Sequence, residues 1–163
     1  MTSARRIIPP ALQGVYDNWH FAPAVVAECL IFCSGIIGTS PNGETPDVDG
    51  LAGARTTTQD ASNDLTALMA VRDPEAQFAT AFEALGAILR AADAELSDVV
   101  ELTTYHVDMS RHMDAFVRVK DRYIQAPYPA WTAIGVAELV VPGGLLEIRA
   151  VAQARSGGTV RQF

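Results

Sequence analysis

The residues best suited to chemistry lie near the C-terminal end, in the run Leu145-Leu146-Glu147-Ile148-Arg149. A carboxylate set among large aliphatics is costly to bury alone, so Glu147 is either paired or functional. Arg149 stands two residues on, which in an extended segment puts both side chains on one face. That spacing allows a Glu147–Arg149 contact, a partner across an interface, or Arg149 acting as an anion grip. Trp131 is the second candidate. It stands directly after Pro129-Ala130, at the mouth of an apolar, strand-like stretch. An indole there either fills a subunit interface, where aromatics are enriched, or walls an apolar pocket and stacks on a flat ligand.

The three histidines, His20, His106 and His112, have no zinc-motif spacing and read as surface or core residues. His106 is a secondary candidate, able to titrate near neutrality if it reaches a cleft. Cys29 and Cys33 read as small apolar fillers. If their segment is one strand, their Cα atoms lie roughly 13 Å apart, too far for a disulfide. No GxSxG, P-loop, dinucleotide fingerprint or EF-hand pattern occurs, so no cofactor and no metal are expected.

These side chains need elements to hold them. Residues 21–35 are rich in Val, Ile, Leu and Phe and read as one or two strands ending in a tight turn at Ser34-Gly35. Residues 41–72, dense in Gly, Pro and Asp at their start, read as a long loop or flap. A helix is expected over 74–92, capped by Asp73 with Pro74 in its first turn. Phe78, Ala81, Phe82, Leu85, Ile88 and Leu89 form its apolar stripe. A strand over 98–108 follows, rich in Val and Thr. A second helix over 111–125, capped by Ser110 or Asp108, buries Met113, Phe116, Val117, Tyr123, Ile124 and the stem of Lys120. Pro127 and Pro129 end it. Strands over 131–139 and 145–154 close the chain, joined by Pro142-Gly143-Gly144 as a turn. The order predicts an α+β fold: one domain over 1–163 with 1–20 as an N-terminal extension, and a mixed sheet with two helices on one face. Self-association is the simplest cover for the other face.

Composition narrows the function classes. The 163 residues are 49 % hydrophobic and 19 % charged, ordinary for a soluble globular chain. No apolar run approaches the ~20 residues that span a bilayer. Prolines interrupt the N-terminal MTSARRIIPP where a signal peptide would be apolar, so a cytoplasmic protein is expected. The net charge of −7 makes nucleic acid an unlikely partner.

Four stretches, FAPAVVAECLIFCSGIIG, DPEAQFATAFEALGAILRAA, DVVELTTYHVDM and YPAWTAIGVAELVVPGGLLEIRAVA, follow in order the pattern of the Rid (reactive intermediate deaminase, YjgF-like) family. The chain resembles this family from about residue 21 to 154. The resemblance implies a chorismate-mutase-like fold, a homotrimer with a barrel-like centre, and ligand sites in the clefts between subunits. It implies hydrolysis of enamines and imines such as 2-aminoacrylate to 2-keto acids and ammonia. By this resemblance Glu147 is the acidic residue that places water or relays protons, and Ser34-Gly35 lines the pocket. Phe21 falls where the deaminases carry a tyrosine, keeping the ring and losing the hydroxyl. Ala133 falls where a cysteine is often found. Trp131 falls on the arginine that grips the substrate carboxylate, and one indole N–H cannot replace a guanidinium. A substrate other than the usual 2-imino acids is therefore expected. The alternatives are a ligand-binding trimer without catalysis and, more remotely, an RNA-directed, endoribonuclease-like activity.

Overall fold

The computed structural model describes residues 4–40, 42–44 and 69–155. Its main sheet is built from β1 (Arg5–Ile7), β2 (Ala24–Ala27), β3 (Leu30–Cys33), β4 (Ile36–Ile37), β7 (Val99–His106), β8 (Ala130–Gly135) and β9 (Leu146–Gln153). The strand order is β1-β2-β3-β9-β7-β8, with β4 also on β9. Only β7 and β8 run parallel. A parallel pair needs a crossover, which the helix α3 (Met109–Tyr123) supplies. A two-stranded ribbon joins β5 (Thr39–Ser40) to β6 (Met69–Ala70).

The helix α2 (Pro74–Ala91) is capped as the sequence predicts, with the Asp73 carboxylate accepting from Ala76 N–H. Its expected stripe is buried and packs with Phe116 of α3 and with Leu146, Ile148, Ala150 and Ala152 of β9 in one core. The alternation along β9 makes the reason plain: even-numbered residues face the helices, while Glu147 and Arg149 face the open side of the sheet. On β7, Leu102, Thr104 and His106 face the helices, and Glu101, Thr103 and Tyr105 the open side.

Several expectations change. Residues 5–19 contribute β1 and a third helix, α1 (Gln13–Trp19), whose Val15 joins the core beside Leu12 and Ile7. Residues 21–35 form a hairpin of two strands with Glu28 left-handed at the bend (φ 55°). Cys29 therefore stands exposed in the turn and Cys33 buried in β3, and both are free thiols. The helix α3 begins at Met109 with Asp108 in the cap position, but the Asp108 side chain makes no cap bond. Val119, not Val117, is its second fully buried residue, because it follows Phe116 by one turn. β8 and β9 are shorter than expected and are not neighbours, since β7 lies between them. Of the segment 41–72, residues 41 and 45–68 lie outside the described residues.

Candidate active-site cleft

Glu147 owes its position to an irregularity beside it. Phe32 of β3 pairs with Val151 of β9, whereas Ile36 of β4 pairs with Ile148. Four steps on one strand thus match three on the other, and the extra residue is absorbed at Ser34-Gly35. This is a β-bulge, not the tight turn that the sequence suggests. Burial shifts phase across it: Ile31 and Cys33 are buried before it, Ile36 and Gly38 after it. The bulge brings the Gly35 backbone under the Glu147 side chain. A Cβ on Gly35 would lie 2.0 Å from Glu147 Oε1, so only glycine leaves room for the carboxyl as it stands.

Around this point opens a cleft of about 640 Å³. Val15 and Trp19 of α1, with Phe21 after it, line it together with Phe32, Val140 and the Ser34-Gly35 bulge. Trp19 and Phe21 meet edge to face, ring centroids 6.5 Å apart. Ser34 fastens that wall to the floor: its hydroxyl donates to Ala22 O at 2.7 Å and its N–H to Pro23 O at 2.9 Å. Glu147 and Arg149 bring charge to a lining that is otherwise mostly apolar. Burial pushes the Glu147 carboxyl above the usual carboxylate range, and among the described residues no ion pair offsets it. Burial also raises the Cys33 thiol to about 12, so at neutral pH it is no nucleophile.

Phe21, Ser34, Gly35, Glu147 and Arg149 therefore share one cleft. Arg149 does not touch Glu147. Its guanidinium reaches over to Glu101 of the adjacent β7, 3.5 Å away. Trp131 and Ala133 are elsewhere: they pair with Leu102 and Thr104, on the face opposite Glu147. The Trp131 ring lies 5.8 Å from Phe116 and under the Lys120 ammonium at 5.2 Å, and its Nε1–H donates to Thr104 Oγ1 at 3.0 Å. It is still 41 % exposed, because β8 is an edge strand whose six residues are all exposed. His106 does not reach the cleft. It is 1 % exposed on the helix side, 2.8 Å from Thr104 Oγ1, and burial lowers its pKa. Sequence reasoning missed Val15 and Trp19. It also missed Tyr105 and Thr103, which pair with Glu147 and Arg149 on the open face. The period-two alternation of Glu101, Thr103 and Tyr105 was the available signal for these two.

Among the described residues no three His, Cys, Asp or Glu side chains converge as metal ligands, and no helix is long and apolar enough to cross a membrane.

A mixed sheet backed by helices, with a carboxyl seated over a glycine bulge on the floor of a mostly apolar cleft, defines an α+β protein. The chain belongs to the endoribonuclease L-PSP family (YjgF/RutC/Rid), whose pattern matches residues 15–154. It is 27 % identical over 154 residues to the RutC family protein YjgH of Escherichia coli K12, covering 94 % of this chain and 97 % of that one. The solved structure of protein YJGH superposes with a TM-score of 0.67 at 25 % identity, covering 91 % of this chain and 95 % of that one. RidA from an Antarctic Psychrobacter superposes with a TM-score of 0.62 at 24 % identity, covering 91 % and 99 %. The resemblance read from the sequence is thus correct for both family and fold.

Proposed function

We propose that this chain is a small-molecule hydrolase that deaminates an enamine, an imine or a related C–N compound lacking the carboxylate of the usual 2-imino acids. The observation that carries this reading is the Glu147 carboxyl, half-buried over Gly35 in a mostly apolar cleft and without an ion pair among the described residues. A carboxyl raised by burial exchanges protons closer to neutrality than an exposed one. In its carboxylate form Glu147 takes a proton from water as the water oxygen bonds to the carbon of a protonated C=N. The carboxyl then returns that proton to nitrogen. The C–N bond breaks with its electron pair leaving on ammonia, the Glu147 carboxylate takes the remaining hydroxyl proton, and a carbonyl remains. One imine and one water give one carbonyl and one ammonia. Arg149, engaged with Glu101, is not a free clamp for a substrate carboxylate.

We further propose that the working form is a cytoplasmic homotrimer. The sheet face that the described residues leave open, the exposed β8 edge and the family support it, and the free Cys29 and Cys33 fit a reducing compartment. In such an assembly a neighbour's β8 would carry Trp131 and Ala133 to the cleft that holds Glu147. A stable monomer at micromolar concentration in light scattering would sink this part. The net charge of −7 argues against RNA as substrate, despite the family's name.

The test is ammonia release from imines generated in situ, some from arylalkylamines and some from amino acids such as leucine. Turnover of the former by the wild-type chain, lost in Glu147→Gln, is the expected result. Equal turnover by both proteins would remove Glu147 from the chemistry. No turnover of any compound, with ligand binding retained, would make the chain a binding module.

A further inference from the structure

We infer that the cleft recognises an organic cation: a protonated amine or iminium nitrogen placed at Glu147, carrying a bulky aromatic or branched apolar group against Trp19, Phe21 and Phe32. This inference rests on reading the cleft as the working site, and it names the kind of molecule that site takes.

Three observations carry it. The first is the balance of charge. Among the described residues Glu147 faces the cleft without an ion-pair partner, whereas Arg149, the cation among the lining residues, is met by Glu101 at 3.5 Å. Summed over these three groups the site is negative, which favours a cationic ligand and repels a carboxylate. The second is the wall. Trp19 and Phe21 stand edge to face, and Phe32 is one of the exposed large hydrophobics, so three aromatic side chains border the same space. Aromatic faces attract ammonium and iminium groups through their quadrupole and cover apolar substituents equally well. The third is size. Within one protomer the cleft measures about 640 Å³, in the range that holds drug-sized ligands, before a neighbour's β8 would narrow it.

The aromatic wall is supplied largely by the N-terminal segment. Val15 packs into the core and anchors α1, while Ser34 holds Ala22 and Pro23 by two hydrogen bonds. The aromatic surface is therefore fixed to the same bulge that seats the carboxyl, and the two recognition elements are held in register.

The experiment is calorimetric titration of the full chain with three matched, unreactive probes: 2-phenylethylammonium, 2-phenylethanol and 3-phenylpropanoate. The ammonium should bind at least about tenfold tighter than the alcohol, the size of a charge-assisted contact. The propanoate should bind weakest. Glu147→Gln should bring the ammonium down to the level of the alcohol and leave the alcohol unchanged. Trp19→Ala should weaken both. Folding of each variant is confirmed by its thermal transition. Tighter binding of the propanoate would overturn the inference and make Arg149 an anion grip. Equal binding of all three, or of none, would overturn it as well. The titration uses no turnover, so it separates from the hydrolase reading. Cation binding without ammonia release defeats the hydrolase alone. Ammonia release confined to small imines without a carboxylate defeats the cation site alone.

Discussion

Gly35→Ala moves the proposed acid–base group without removing it. The new Cβ would stand 2.0 Å from Glu147 Oε1, 2.7 Å from Cδ and 3.1 Å from Cγ. To regain an ordinary 3.4 Å contact, the carboxyl must retreat by about 1.4 Å. The obstacle is the far end of a flexible side chain, so the fold can yield. Moving Glu147 off its rotamer costs about 0.5–1.5 kcal/mol. Replacing glycine stiffens the unfolded chain and returns about 0.4–1 kcal/mol. The melting temperature should therefore stay within about 4 °C of wild type. Catalysis should not survive as well, because a misplacement near 1 Å costs about 100-fold. The assay is kcat/KM for ammonia release beside a thermal melt, with Glu147→Gln as the floor. A folded Gly35→Ala protein with wild-type kcat/KM would refute the idea that the seat over Gly35 is the productive one. A melting temperature lowered by 10 °C or more would show that the carboxyl has nowhere to go.

Other outcomes follow from other parts of the structure. Gly38→Ala should be strongly destabilising, because its Cβ would meet the Gln77 carbonyl oxygen at 2.0 Å and that backbone belongs to α2; a thermal melt checks this. Gln77→Leu leaves Val71 O, Gly143 O and Leu145 N–H without their partner and should cost about 3 kcal/mol, roughly 6–12 °C in melting temperature. His20 caps α1 in the left-handed region (φ 59°, ψ 36°), so His20→Gly should raise the melting temperature by about 2–4 °C. The pH profile has two opposed parts. The raised Glu147 carboxyl supplies stability that is full below its unfolded value of 4.5 and lost as pH rises through its folded value, so Glu147→Gln should out-melt wild type at pH 8 and show no advantage at pH 4. The lowered His106 supplies stability that is full above 6.5 and lost as pH falls toward its folded value, a loss that His106→Gln should not share.

Much of the frame was legible because its signals are local. Asp73 and Pro74 announce α2, its stripe repeats at helical spacing, and the Val- and Thr-rich run 98–108 reads as a strand. What was hidden depends on partners distant in sequence. The bulge at Ser34-Gly35 exists only relative to β9, more than a hundred residues away, and no local pattern distinguishes it from a turn. The helix α1 is seven residues long, with no side-chain cap bond and no acidic residue in its first turn, so its own sequence hardly marks it. Which face Trp131 takes was likewise set by β7, where Leu102 is its neighbour, and not by the Pro-Ala that precedes it. Glu147 and Arg149 were correctly set on one strand face, but the choice of Glu101 as the arginine's partner came from the neighbouring strand.

The single surplus residue between β3 and β4 makes the cleft floor a matter of counting. Point substitutions leave chain length untouched and cannot remove it. Deleting Ser34 or Gly35 would let the strand run on in plain alternation, with Ile31, Cys33 and Ile36 still inward and Ile36 still opposite Ile148, but the extra backbone beneath Glu147 would be gone. Relatives that differ here by one insertion or deletion would thus differ in architecture of the floor even when every neighbouring side chain is the same. Changes in the wall residues would alter what the cleft takes without moving the seat of the carboxyl, because that seat is set by a length.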